Sequence, residues 1–186
     1  MLSSPVYELP IADDELLLVG RITLMWSQLD FQIDGILAAL HRLDGEQLAA
    51  FFGRIMIGGK VQAIKKAVHR APSGSAQQAL SAMCESINGC LEDRNLLTHG
   101  MWGWNWDEEN VRWEPAATSH LIRTTFSASE LPDLHERIVE AAVRTDRAYY
   151  LTVHREEPST TRNRAYTSAP FQPGTPPGGM PPRIVR

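Results

Sequence analysis

The run ELLLVGRITLMWSQLDFQIDGILAALHRL, residues 15 to 43, constrains this chain more than any other stretch. It spaces Leu18, Ile22, Met25, Trp26, Leu29, Ile33, Ile36, Leu37 and Leu40 three and four apart, which puts one apolar stripe along a long α-helix. Asp13, Asp14 and Glu15 make an acidic first turn that complements the helix dipole, and the pattern ends near Asp44-Gly45. A stripe of this length has to be covered, so the rest of the chain must supply packing partners.

The following segments read as those partners. A second helix is expected from about Glu46 to Ile57, stopped by Gly58-Gly59, and a third from Lys60 to about His69, ahead of the loop APSGS. A fourth begins after Ser75 and turns Leu80, Met83, Ile87 and Leu91 inward before reaching Arg94. The period then switches to two. Trp102, Trp104 and Trp106 alternate, DEEN supplies a polar turn, VRW resumes an extended pattern, and SHLIRTTF reads as a further strand. Ser127-Ala128-Ser129-Glu130 is a capping box, opening a last helix whose inner face is Leu134, Ile138, Ala141, Ala142, Ala148 and Leu151. From Arg155 seven of the twelve prolines accumulate, and such a segment cannot bury enough apolar surface to offset its conformational entropy. The expected architecture is all-α: a helical domain over 1–154, a small β-hairpin-type insertion at about 101–126 before the last helix, and a Pro/Gly/Arg-rich disordered tail over 155–186. No internal repeat is seen.

Charge narrows the function classes. The chain carries a net −4, and the tail, with five arginines against Glu156 and Glu157, holds +3 of it, leaving −7 on residues 1 to 154. That balance argues against broad nonspecific binding to nucleic acid, so an RNA contact would need a local basic patch. No leader and no apolar run long enough to span a bilayer is read, so the expectation is a cytoplasmic protein without membrane contact. Cys84 and Cys90 lie on different faces of one helix, about 9 Å apart along its axis, and are expected as small core residues. GRIMIGGK, residues 53 to 60, imitates a phosphate-binding loop, but the spacing is one residue too long and Val61 follows the lysine. No histidine pair has metal-ligand spacing and no serine or cysteine sits in a nucleophile elbow, so neither metal nor cofactor is expected. His41, His69, His120, His135 and His154 read as surface or satisfied core residues.

Two features remain. Trp102, Trp104, Trp106 and Trp113 could stack bases, yet only Arg112 lies among them, so covering the bundle with one face of a hairpin is the better reading. DRNLLTHG is the other. Asn95 and His99 are four apart and share a helix face, with Arg94 one step round and able to reach His99 over one turn. This sets a bidentate anion binder beside a group that exchanges protons near neutral pH, a pair suited to phosphodiester chemistry. The same residues also read as a polar helix end, with His99 capping its own last carbonyls before Gly100. On spacing alone that plainer reading is the better one.

Arg94, Asn95 and His99 resemble the R-x(4–6)-H signature of the HEPN superfamily, in its common form with a polar residue directly after the arginine. The bundle, the motif at the end of a late helix, and the opening GRITLMWSQLDFQIDGIL are similar to bacterial members, over roughly residues 12 to 153. The resemblance implies a HEPN-like up-and-down helical bundle and a metal-independent endoribonuclease of toxin or defence type. It implies a homodimer in which both copies of the motif meet in one cleft, RNA as the partner acted upon, and an antitoxin protein as a further candidate partner. Arg94 would hold the scissile phosphate, His99 would act as general acid or base, and Asn95 would orient either. Some toxin members carry a tyrosine two residues after the histidine, where this chain has Met101. Other relatives serve as non-catalytic dimerisation or binding modules. A nucleotide-sensing protein is a third expectation.

Overall fold

The computed structural model describes residues 11–107, 112–119 and 125–155. Helix α1 spans Asp13–His41, its entry fixed by the Glu15 carboxylate, which accepts from the Ala12 N–H at 2.8 Å. It ends earlier than the sequence pattern suggests, because Arg42 turns left-handed (φ 57°) and its N–H closes on the Ala38 carbonyl. Asp44 is not a helix stop but the N-cap of α2 (Gly45–Phe52), accepting from the Gln47 N–H at 2.9 Å.

The break between the second and third helices also lies elsewhere than expected. Helix α3 runs Ile57–Ala67, so Gly58 and Gly59 sit inside its first turn, and the chain breaks at Gly53 to Met56. The reason is close approach. A Cβ on Gly59 would meet the Ile55 side chain at 2.6 Å, and one on Gly58 would meet Leu91 of the next helix at 3.0 Å. These glycines let α3 enter closely; they do not stop a helix.

A 3-10 turn, Val68–Arg70, leads to α4, Gly74–His99, capped by the Ser73 hydroxyl, which accepts from the Ala76 N–H. Strands β1 (Met101–Asp107), β2 (Arg112–Thr118) and β3 (Thr125–Ser127) form an antiparallel sheet in that order, β3 falling at the end of the segment read as a further strand. Residues 120–124 of the SHLIRTTF segment and the whole stretch 156–186, expected as a disordered tail, lie outside the described residues. The capping box forms as read: the Ser127 N–H donates to Glu130 at 2.8 Å, ahead of a 3-10 turn and α5 (Leu131–Tyr149). Helix α5 continues into a π-helical turn, Tyr150–His154.

Helices α1, α3, α4 and α5 enclose one core, in which Ile22, Leu29, Ile33, Leu80, Ile87 and Ile138 are fully buried. The fold is mostly helical with a small sheet. Polar pairs pin the helices in register. Gln32 of α1 donates to Asp146 of α5 at 3.0 Å, both buried, and Arg137 of α5 clamps α4 through Asp93 (2.6 Å) and the Gly89 carbonyl (2.8 Å). Among the described residues no helix is long and apolar enough to cross a membrane.

Candidate functional site at the end of α4

Arg94 lies half-buried where α4 faces α1. Its guanidinium carbon stands 5.1 Å from the centre of the Trp26 ring, and Nη1 donates to the Asn95 amide oxygen at a long 3.4 Å. Cation–π contact of this kind attracts a guanidinium to the face of the indole. Nε is buried without a protein partner, and among the described residues no carboxylate forms an ion pair with Arg94. Burial pulls its pKa below the ordinary value while the charge of Asp30 opposes this, and the group stays protonated at neutral pH. Asp93, the neighbour best placed in sequence to neutralise Arg94, is taken by Arg137.

A cavity of about 440 Å³ opens beside this guanidinium, lined among others by Trp26, Asp30, Arg54, Lys60, Arg94 and Asn95. Lys60 is nearly fully buried and spans two carboxylates of α1, Asp30 at 2.9 Å and Asp34 at 2.7 Å. Burial by itself would lower the Lys60 pKa, but its bonds to Asp34 and Asp30 outweigh that and leave it raised. Lys60 is therefore committed to joining α3 to α1, and Arg94 and Arg54 are the cations of the cavity wall without a carboxylate partner among the described residues.

His99 is the last residue of α4 and is exposed. It lines a different cavity, about 510 Å³, with Asn88, Glu92, Asn95, Leu96 and Ser119. Arg94 and His99 line different cavities in the single chain. Five residues advance an α-helix by about 140°, and the Trp26 contact draws Arg94 further toward α1. Asn95 lines both cavities, as does Leu91.

The stop after His99 is steric. Gly100 has ordinary extended angles (φ −70°, ψ 156°), but a Cβ there would come within 2.4 Å of the Leu96 carbonyl and 3.1 Å of the Ala117 side chain. Glycine allows β2 to pack directly over the helix end, and the Gly100 N–H caps the Leu96 carbonyl at 2.7 Å. Trp102 is half-buried against the core and donates its indole N–H to the Leu97 carbonyl at 3.1 Å. That satisfies an orphan carbonyl of α4, so for Trp102 the packing role is the observed one. The side chains of Trp104, Trp106 and Trp113 lie outside the described residues.

Sequence reasoning did not find the surroundings of Arg94. Trp26 was read only as part of the core stripe, and the pairing of Lys60 with Asp30 and Asp34 was missed. The available signal was an acidic pair four apart on the polar side of the first helix. It also passed over Leu17, Leu24 and Phe31, seven apart on α1 and exposed to 42%, 74% and 75%. Phe51, Ile55 and Met56 are also exposed, and Ile55 and Met56 line the Arg94 cavity. Both cysteines are buried free thiols whose pKa burial pushes up to about 11, which makes them poor nucleophiles. Among the described residues no group of three or more His, Cys, Asp and Glu is arranged to hold a metal ion. Compared with family models, with curated proteins and with solved structures, the chain matches none of them.

Proposed function

We propose that this chain is a metal-independent endoribonuclease of HEPN type, in the toxin or defence class, working as a homodimer through Arg94, Asn95 and His99. The observation that carries the reading is the state of the three side chains. Arg94 keeps a guanidinium free of carboxylates among the described residues, His99 is exposed at a cavity, and Asn95 joins the two cavities. Arg94 would hold the scissile phosphate and meet the charge growing on its oxygens. His99 would move the proton during attack by the ribose 2′-hydroxyl, which leaves a cyclic phosphate. Because Arg94 and His99 face different cavities, a second copy supplying its own motif across the groove is the simplest route to a complete site. The exposed Leu17, Leu24 and Phe31 stripe, at coiled-coil spacing, offers an apolar surface for that copy.

A second reading, a non-catalytic dimerisation or binding module, draws on the Trp26 contact. A guanidinium stacked on an indole and bonded to Asn95 stabilises the junction of α1 with α4 whether or not RNA is present. The test compares wild type with Arg94→Ala and His99→Ala on total RNA in EDTA, with the mass of each species measured by light scattering. Cleavage to 2′,3′-cyclic ends by wild type, absent from two variants that remain dimeric, supports the nuclease. Inert wild type, with Arg94→Ala losing its dimer, supports the module.

A further inference from the structure

At the other end of α1, about 20 Å along the helix axis from Trp26, lies a third cavity of about 520 Å³. Its wall includes His41, Arg42, Arg70, Thr152 and Arg155. Three arginines share one cavity, and among the described residues none of them forms an ion pair with a carboxylate. Arg42 and Arg155 cap the ends of α1 and of the π-helical turn, both in the left-handed conformation at φ 57° and 61°. Helix C-termini favour a cation, which accounts for one arginine at each. It does not account for the donors beneath them.

Thr152 is 5% exposed and its hydroxyl has no partner. Threonines in helices ordinarily donate to the carbonyl four residues back, as Thr23, Thr98 and Thr145 do in this chain. Thr152, in a π-helical turn, does not. Such turns recur at functional sites. His41 is the second orphan. Arg70 can only donate, so the 3.1 Å contact of its Nη1 with His41 Nδ1 makes that nitrogen the acceptor and puts the ring proton on Nε2. Nε2 is buried and has no acceptor in the protein. Burial, together with the Arg70 charge, also lowers the His41 pKa, in keeping with a neutral ring.

Three guanidinium groups without carboxylates around one cavity, with unpartnered polar atoms in its wall residues, lack one thing: a compact ligand rich in acceptor oxygens and negative charge. We infer that this cavity is a binding site for the diphosphate group of a small phosphorylated ligand. One phosphate carries about two negative charges and leaves the three cations unbalanced, whereas a diphosphate carries about three. Bidentate guanidinium contacts suit its oxygens. The site is separate from the end of α4 and does not rest on the nuclease reading.

The experiment is calorimetric titration of the full chain with inorganic pyrophosphate in EDTA, with orthophosphate as the control, alongside thermal melts. Pyrophosphate should bind at least about tenfold more tightly than orthophosphate and raise the melting temperature. Arg42→Gly and Arg155→Gly remove a cation where glycine suits the backbone, so the unliganded melting temperature should hold or rise while affinity falls about tenfold or more. The inference is overturned by absence of binding at millimolar pyrophosphate, by equal affinity for orthophosphate, or by an affinity unchanged in both glycine variants.

Discussion

Replacing Lys60 with methionine tests whether this cation holds helices together or serves the cavity it lines. The substitution keeps the length of the side chain and removes the charge. Lys60 is 5% exposed at its side chain, and its partners Asp30 and Asp34 are 43% and 33% exposed. Two limits bracket the cost. An exposed ion pair is worth about 0.2–1 kcal/mol, and breaking a fully buried one costs about 3–5 kcal/mol. Water reaches the two carboxylates but not the ammonium, so the loss should fall between, at about 2 kcal/mol. Asp30 and Asp34 are four apart on α1, and their repulsion, no longer offset by the lysine, adds a few tenths of a kcal/mol. For a domain of this size the melting temperature should drop by about 4–8 °C.

The assay is urea unfolding at pH 7, repeated with Asp30→Asn and Asp34→Asn alone and combined with Lys60→Met. The triple variant should recover most of the loss, because an apolar side chain then faces neutral amides. A Lys60→Met protein as stable as wild type would refute the reasoning. If that stable variant also lost RNA binding, Lys60 would be a ligand contact. The pH dependence carries the same sign. A raised lysine pKa means that the contribution is fully present below about 10.5 and is lost as pH climbs past the folded value.

Three further outcomes follow from the geometry. Leu24→Glu with Phe31→Glu should convert the proposed dimer to a monomer, read by light scattering, with little change in far-UV circular dichroism, because both side chains are exposed in the single chain. Gly100→Ala should cost about 1–3 kcal/mol in denaturant unfolding, since its Cβ would meet the Leu96 carbonyl and Ala117, and an unchanged midpoint would contradict the close approach of β2 to α4. Stability should fall as pH drops below about 6.5, because burial, aided by Arg70 at His41 and by Arg21 at His135, lowers both histidine pKa values so that the unfolded chain binds protons first. A double His41→Gln, His135→Gln variant should flatten that slope.

Much of the helical framework was legible because its signals are local. The stripe from Leu18 to Leu40, the capping box at Ser127 and Glu130 and the inner face of α5 are patterns a few residues long, and the structure carries each of them. Boundaries were less legible where a glycine serves a neighbour. Gly58 and Gly59 read as helix breakers, yet each answers to a side chain that packs against it, whereas Gly100 ends α4 where the sequence placed the stop. The candidate site was legible as residue types at a spacing: Arg94, Asn95 and His99 near the end of a helix. Which way each would face was not, because Arg94 is drawn to Trp26, a residue far off in sequence that offers an indole face out of water. The sequence by itself determined the number of main helices, the capping box before α5 and the residue types available at the end of α4. Tertiary structure alone decided that Arg94 and His99 face separate cavities, that Lys60 is consumed by two aspartates, and that His41, Arg42, Arg70, Thr152 and Arg155 line one cavity at the other end. The physical reason is that periodicity is a property of neighbouring residues, whereas burial, desolvation and charge pairing depend on which distant segments come into contact.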